Sequence, residues 1–210
     1  MAALLAAAAD PAYPAEIGLV LSNRADAAGL GLAAAAGVPV AVVPSRGRDR
    51  AEFETAMHAV LEAHATAIIA LAGFMRVLTE AYTRRWEGRM INIHPSLLPA
   101  FPGLDTHGRA LAAGVRLHGC TVHFVTAGVD EGPIIAQSAV PILPGDDEAV
   151  LAARVLAEEH RLYPAALGWL AAGKVRLEAG RVVAEGLDWA EGVLVNPAVA
   201  RHLAGGARPV

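Results

Sequence analysis

The chain has 210 residues and a mass of 21.6 kDa, which at about 150 residues per domain favours one α/β-sized domain over two full ones. With 55% hydrophobic and 18% charged residues and a mean hydropathy of +0.42 it is too apolar to be disordered, and 21 Gly and 13 Pro break it too often for a coiled coil. A net charge of -4, a pI near 6.0 and only 5% aromatics argue against nucleic acid, which needs a basic field or stacking platforms.

The opening run Met1–Ala9 is apolar, lacks a basic leader and meets Asp10 and Pro11, so it reads as an amphipathic or buried helix. No stretch supplies the ~18 uninterrupted apolar residues of a membrane span. Strand-like and helical runs then alternate: Glu16–Leu21 and Asp26–Ala36, Val38–Val43 and Asp49–His64, Ala67–Leu71 and Thr79–Trp86, Met90–His94 and Thr106–Ala113. Such βαβα order, with continuously apolar strands, predicts a mostly parallel sheet with helices on both faces. Two longer strand-like runs follow, Gly119–Val125 and Pro133–Ile142, placed near a sheet edge. A long helix capped by Asp146 or Asp147 comes next, with Pro164 expected to kink it. A hairpin around Ala179-Gly180 and a tail of ~25 residues end the chain. The lone cysteine, Cys120, cannot form an internal disulfide, which fits a reducing compartment and makes the cytoplasm the expected location.

The most informative stretch is Met90-Ile-Asn-Ile-His-Pro-Ser-Leu-Leu-Pro99. Alternation along a strand sends Ile91 and Ile93 one way and Asn92 and His94 the other, at the carboxyl end where open α/β sheets hold ligands. An amide donor beside a titratable imidazole suits acyl transfer to an amine; a capping Asn and a surface His are the bland alternative. Asp130, in Val129-Asp-Glu-Gly-Pro133, reaches the same rim if its strand is also parallel. There it would orient His94 and favour a proton on its ring; otherwise it is a turn residue.

Two other patterns carry less. Gly29-Leu-Gly-Leu-Ala-Ala34 fits a loose dinucleotide fingerprint, but Pro44-Ser-Arg46 stands where an acidic residue should end the next strand. His118-Gly-Cys-Thr-Val-His123 has metal-ligand residue types, yet alternation puts His118 and Cys120 on one face and His123 on the other, so no metal is expected. His58, His64 and His202 read as solvent-facing.

The chain resembles the phosphoribosylglycinamide formyltransferases, folate-dependent enzymes of de novo purine synthesis. The resemblance runs in order through Leu71-Ala-Gly-Phe-Met-Arg-Val-Leu78, Ile91-Asn-Ile-His-Pro-Ser-Leu-Leu-Pro99, Phe101-Pro-Gly-Leu-Asp-Thr-His107, His118-Gly-Cys-Thr-Val-His-Phe-Val125, Val129-Asp-Glu-Gly-Pro133 and Glu158-Glu-His160. It implies one formyltransferase domain over 1–210 with a Rossmann-like sheet. Roughly residues 1–100 would form the nucleotide-binding half and 101–210 the folate-pocket half. It also implies 10-formyltetrahydrofolate as formyl donor, glycinamide ribonucleotide as acceptor, no metal, and a monomer or homodimer.

By matching position, Asn92 would hydrogen-bond the formyl oxygen, His94 would be general acid and oxyanion stabiliser, and Asp130 would support His94 and relay the proton. Folate contacts would come from Arg50, Phe74, Met75, Arg76, Val77, Leu78, Asn92, Thr126 and Asp130, and ribonucleotide contacts from Gly73, Pro95 and Glu159.

One departure is large. Members of that family begin with a hydrophobic strand and a Gly-Ser-Asn loop that holds phosphate at a helix N-terminus, whereas Met1-Ala-Ala-Leu-Leu starts inside the helix that follows. Losing a central strand should open the core, so the expectation is a native product with about a dozen more N-terminal residues, a short strand and loop. Two competing readings accompany the transferase. One is hydrolysis of the formyl donor by the same three residues; the other is a folate-binding domain without turnover.

Overall fold

Leucines, valines and isoleucines at strand positions and Asp or Thr at helix starts determine most of the architecture. The structure, a computed structural model, describes residues 1–192 and 194–197. In chain order it contains α1 (Ala2–Ala8), β1 (Val20–Ser22), α2 (Ala28–Ala35), β2 (Val40–Val42), α3 (Arg50–Ala63), β3 (Ile69–Leu71) and α4 (Glu80–Arg85). These are followed by β4 (Met90–His94), α5 (Thr106–Ala113), β5 (Leu117–Phe124), β6 (Ile134–Pro141), α6 (Glu148–Ala171), β7 (Val175–Glu178) and β8 (Arg181–Ala184). Asp49 and Glu52 form a reciprocal capping box at α3, Thr79 accepts from Tyr82 N at α4, and Asp147 accepts from Val150 N at α6. Helix α6 contains Pro164 and continues through it to Ala171.

Pairing divides the strands. β1 and β2 are parallel, with Val20 opposite Val40; β3 and β4 are parallel, with Ile69 opposite Met90. β5 runs antiparallel to β4, β6 antiparallel to β5, and β7–β8 is a separate hairpin turning at Ala179-Gly180, both with positive φ. The parallel character thus belongs to the βαβα portion, and the two long strands extend it antiparallel to an edge at β6. Within the described residues β1–β2 and β3–β6 are not hydrogen-bonded to each other. A cavity of about 690 Å³ lies between them, lined by Leu21, Leu61, Ile69, Met90 and Leu167 among others.

Helices cover both faces, as the sequence predicts. Ile91, Val122 and Phe124 pack with Leu4 of α1 and with Tyr163, Ala166 and Leu167 of α6. On the opposite face Met90 packs with Phe53, Met57 and Leu61 of α3 and Tyr82 and Trp86 beside α4. Each fully buried aliphatic side chain of this kind contributes about 1.5–3 kcal/mol. The strand period of two therefore puts Asn92 and His94 on the α3/α4 side, one and two steps beyond Met90. Among the described residues no helix is long and apolar enough to cross a membrane. The tail returns to the sheet: Asn196 donates its side-chain N–H groups to the carbonyls of Arg116 and Ile142.

Candidate active site

β4 ends at His94, and the chain after it is pinned by polar side chains from the neighbouring strands. Thr121, opposite His94 in the register, donates to Ser96 O (2.7 Å) and accepts from Leu98 N (3.0 Å). Gln137 of β6 donates to Leu98 O at 2.8 Å, and Ser96 Oγ donates to Ala100 O at 2.6 Å. The segment 95–105 is held from both ends, which fixes its backbone as part of the site.

His94 is the centre of that site. Its Nδ1 is 3.3 Å from Asp130 Oδ2 and its Nε2 is 3.1 Å from the Phe101 carbonyl oxygen, so both ring nitrogens face acceptors. The His94 and Asp130 side chains are 7% and 12% exposed. The same Asp130 oxygen accepts the Gly103 N–H at 2.9 Å, stitching the loop after β4 to the loop after β5.

Asp130 gets there by a route other than the expected one. β5 is antiparallel to β4, with Phe124 opposite Ile91, so its C-terminal end lies at the start of β4 rather than at the rim. The loop 125–133 must fold back over the sheet face to bring the carboxylate to His94. Backbone conformation accompanies that path. Phe101, Asp105 and Asp130 all adopt left-handed φ values of 53°, 53° and 57°, a conformation costing an L-residue about 1 kcal/mol or more. Strained positions of this kind gather where the surrounding bonds over-determine them.

A fourth polar residue joins the group. His123 stands opposite Asn92 across the β4–β5 pair; its Nε2 is 3.4 Å from Asn92 Nδ2 and 3.8 Å from Asp130 Oδ1, and its Nδ1 is 2.8 Å from Phe124 O. Burial lowers its pKa, against the bond to Phe124 and the Asp130 charge, which act the other way. In the sequence His123 stands out by residue type as a metal-ligand candidate and within a stretch of the resemblance, but its pairing with Asn92 depends on strand register, which alternation does not reveal. The Phe101 carbonyl and the Gly103 N–H are likewise backbone groups without a sequence signal.

His118 and Cys120 do share the other face of β5. His118 Nε2 is 3.1 Å from His107 Nδ1, and its ring meets Phe101 edge-on at 6.0 Å, so this pair buttresses the loop carrying the His94 contact. Burial pushes His118 down to about 4 and the Cys120 thiol up to about 12. Among the described residues no group of three or more His, Cys, Asp or Glu side chains is placed to hold a metal ion.

The remaining predicted residues fall into two regions. Arg50 opens α3; one turn on, the Phe53 ring carries the Arg76 guanidinium 5.2 Å above it, and Arg76 also donates to Ser45 Oγ. Phe74 packs on the α3/α4 cluster and Leu78 is buried in it, so any contact from Leu78 would be main-chain; Met75 and Val77 are exposed. Thr126 is half-buried at the start of the folded-back loop. Gly73 and Glu159 line a common cavity of about 290 Å³ with Ile93, His160 and Tyr163, whereas the half-buried Pro95 is not part of its lining. Burial raises the Glu159 carboxyl above its ordinary range. His58 departs from expectation. Its side chain is only 12% exposed, edge-on to Trp86 at 5.9 Å, because the α3 stripe that carries Phe53, Met57 and Leu61 broadens toward α4. His64 is exposed as expected, and His202 lies outside the described residues.

A parallel αβ portion with an antiparallel extension carries the buried His94 beside the half-buried Asn92 and Asp130, and comparison with known proteins gives the class to which this arrangement belongs, the formyl transferases. The formyl transferase family model matches residues 1–167, and the chain belongs to that family. It is 40% identical over 179 residues to phosphoribosylglycinamide formyltransferase of Escherichia coli (strain K12), covering 85% of this chain and 82% of that protein. It is 48% identical over 182 residues to the trifunctional purine biosynthetic protein adenosine-3 of Bos taurus, covering 86% of this chain. The chain spans only 18% of the length of that trifunctional relative. Among solved structures, glycinamide ribonucleotide transformylase 1 from Symbiobacterium toebii superposes with a TM-score of 0.84 at 45% identity, over 88% of this chain and 87% of that one.

Proposed function

We propose that this chain transfers the formyl group of 10-formyltetrahydrofolate to the primary amine of glycinamide ribonucleotide, giving formylglycinamide ribonucleotide and tetrahydrofolate in purine biosynthesis, as a soluble cytoplasmic enzyme. The observation that carries this reading is the His94–Asp130 pair at 3.3 Å on the strand face that also presents Asn92. Relatives named for this reaction, matched over most of their own length, support it.

The folate donor supplies an electrophilic formyl carbon on nitrogen. Its flat apolar body suits the exposed side chains Met75, Val77, Leu104 and Val129, carried by loops beside the His94–Asp130 pair, with Arg50 and Arg76 beyond them for its carboxylates. Glu159 would hold the ribonucleotide's amine end through the cavity it shares with Gly73. When the amine nitrogen bonds to the formyl carbon, the carbonyl π pair moves onto oxygen. Asn92 and His94 would donate N–H groups to that oxyanion, stabilisation worth roughly 10²–10³ in rate per donor. Asp130 would accept the proton lost by the amine and, with His94, return one to the folate nitrogen as its bond to the formyl carbon breaks. The amine loses one proton and the leaving nitrogen gains one, so the enzyme ends unchanged.

The test is the rate at which the purified protein converts 10-formyltetrahydrofolate to tetrahydrofolate with and without glycinamide ribonucleotide. Turnover that requires the ribonucleotide is the expected result. Formate release without it would make the protein a hydrolase, and folate binding without turnover would make it a binding domain.

A further inference from the structure

The Asn92 amide has two faces of opposite character: its NH2 end would stabilise a developing oxyanion and its oxygen would repel it. Nothing in β4 itself decides which end faces the reacting atoms; the neighbour across the pair does. We propose that His123 is a positioning residue for the transfer, its neutral ring accepting one N–H of Asn92 at Nε2 and so leaving the second N–H of that nitrogen to reach the formyl oxygen.

The other ring nitrogen fixes the tautomer. Nδ1 lies 2.8 Å from the Phe124 carbonyl oxygen, which only accepts, so Nδ1 carries the hydrogen. A neutral ring then has its lone pair on Nε2, and the atom facing it at 3.4 Å is Asn92 Nδ2, a donor. Turning the amide over would set its oxygen against that lone pair. The strand geometry holds the two residues together, because Asn92 and His123 are direct partners in the antiparallel register. At the same place the β5–β6 ladder slips, with Val122 paired to Ala136 but His123 to Ile134, an irregularity of the sort that re-aims side chains beside active sites.

The charged and titratable groups facing His123 are Asp130, whose Oδ1 is 3.8 Å from Nε2, and His94 on the adjacent strand. Burial and His94 favour the neutral ring, and the Asp130 charge favours the cation. A protonated His123 would present N–H to the Asn92 donor and compete with His94 for Asp130. Neutrality is therefore part of the arrangement, and the rate should fall when His123 takes a proton.

This inference rests on the proposed reaction, but its first test does not. Ring-nitrogen NMR of histidine-labelled intact protein at pH 7 should show His123 protonated at Nδ1 and bare at Nε2; a ring protonated at Nε2 would overturn it. Kinetics supply the second test. His123→Leu, which keeps bulk and removes the acceptor, should lower kcat by about 10–100-fold with KM values changed by no more than about threefold. His123→Gln, whose side-chain oxygen can accept from Asn92, should recover most of that loss. In an Asn92→Ala background His123→Leu should cost less than about twofold. A full Leu penalty in that background, or a Gln variant no better than Leu, would overturn it as well. Should His123→Leu fail to fold, the Gln variant and the NMR assignment decide. A wild-type protein with no ribonucleotide-dependent turnover would instead remove the proposed reaction and leave the tautomer measurement standing.

Discussion

One carboxylate oxygen of Asp130 contacts both the His94 ring, at 3.3 Å from Nδ1, and the Gly103 backbone N–H, at 2.9 Å. It therefore connects the strand that presents the imidazole to both loops that wall it in. His94→Ala removes the donor and Asp130→Asn removes the charge that orients it while nearly keeping its shape. Each should lower turnover by roughly 10²-fold or more. Asp130→Asn should leave the melting temperature nearly unchanged, since the amide oxygen can still accept from Gly103. A folded His94→Ala enzyme with near-normal turnover would take His94 out of the chemistry.

The His107–His118 pair predicts acid sensitivity. A single N–H is shared between Nδ1 and Nε2 at 3.1 Å, and burial holds His118 at about 4 and lowers His107 from the ordinary value. Unfolded histidines titrate near pH 6.5, so between about pH 6.5 and 4 the unfolded chain binds protons that the folded chain refuses. Stability is then fully present above pH 6.5 and declines as pH falls toward 4. Thermal melts at pH 7 and pH 5 should show a smaller acid decrement in His118→Gln than in the wild type. Equal decrements would mean the pair does not contribute to acid sensitivity.

How much of this was legible in the sequence depends on the range of the interaction. The Asn92/His94 pair follows from strand alternation, and Asp49, Thr79 and Asp147 sit at helix starts because their short oxygens satisfy free backbone N–H groups. Strand pattern reaches Asp130 only on the condition of a parallel β5, and the resemblance is what singles it out; the real path is a folded-back loop after an antiparallel strand. His123 was invisible as a site residue because its partner lies 31 positions away and only the register joins them. His58 packs edge-on against Trp86 although the pattern predicts it in solvent, because polar neighbours along α3 conceal the breadth of its buried stripe.

Glu54 makes the loop proposed to contact the folate donor testable apart from the chemistry. This buried carboxylate accepts the Thr79 N–H at 2.6 Å and also the Thr79 hydroxyl, and Thr79 in turn caps α4 just after Phe74–Leu78. Glu54→Ala leaves buried donors without partners, a cost of about 1–3 kcal/mol, or several degrees in melting temperature for a chain of this size. The KM for the folate donor should rise more than kcat falls, because the loop is loosened while His94 and Asp130 are untouched. A variant of unchanged stability and unchanged KM would show that Glu54 does not support the loop.

Two glycines of the folded-back loop should respond in opposite ways to the same added methyl group. A Cβ at Gly132 would fall 1.7 Å from the Phe124 carbonyl oxygen and 3.3 Å from His123 Nδ1, so it strikes backbone and the bond that sets the His123 ring. The atoms nearest to a Cβ at Gly128 belong to the Glu131 side chain, its carboxylate oxygen at 2.2 Å, which can swing away, and its Cβ at 3.1 Å. Gly132→Ala should therefore lose about 1–3 kcal/mol or more of stability and most of the turnover, and Gly128→Ala little of either. Denaturant melts and turnover on the two purified variants check this directly. Comparable behaviour of the pair would mean that the approach of residue 132 to Phe124 is not what aligns Asp130 and His123 over β4.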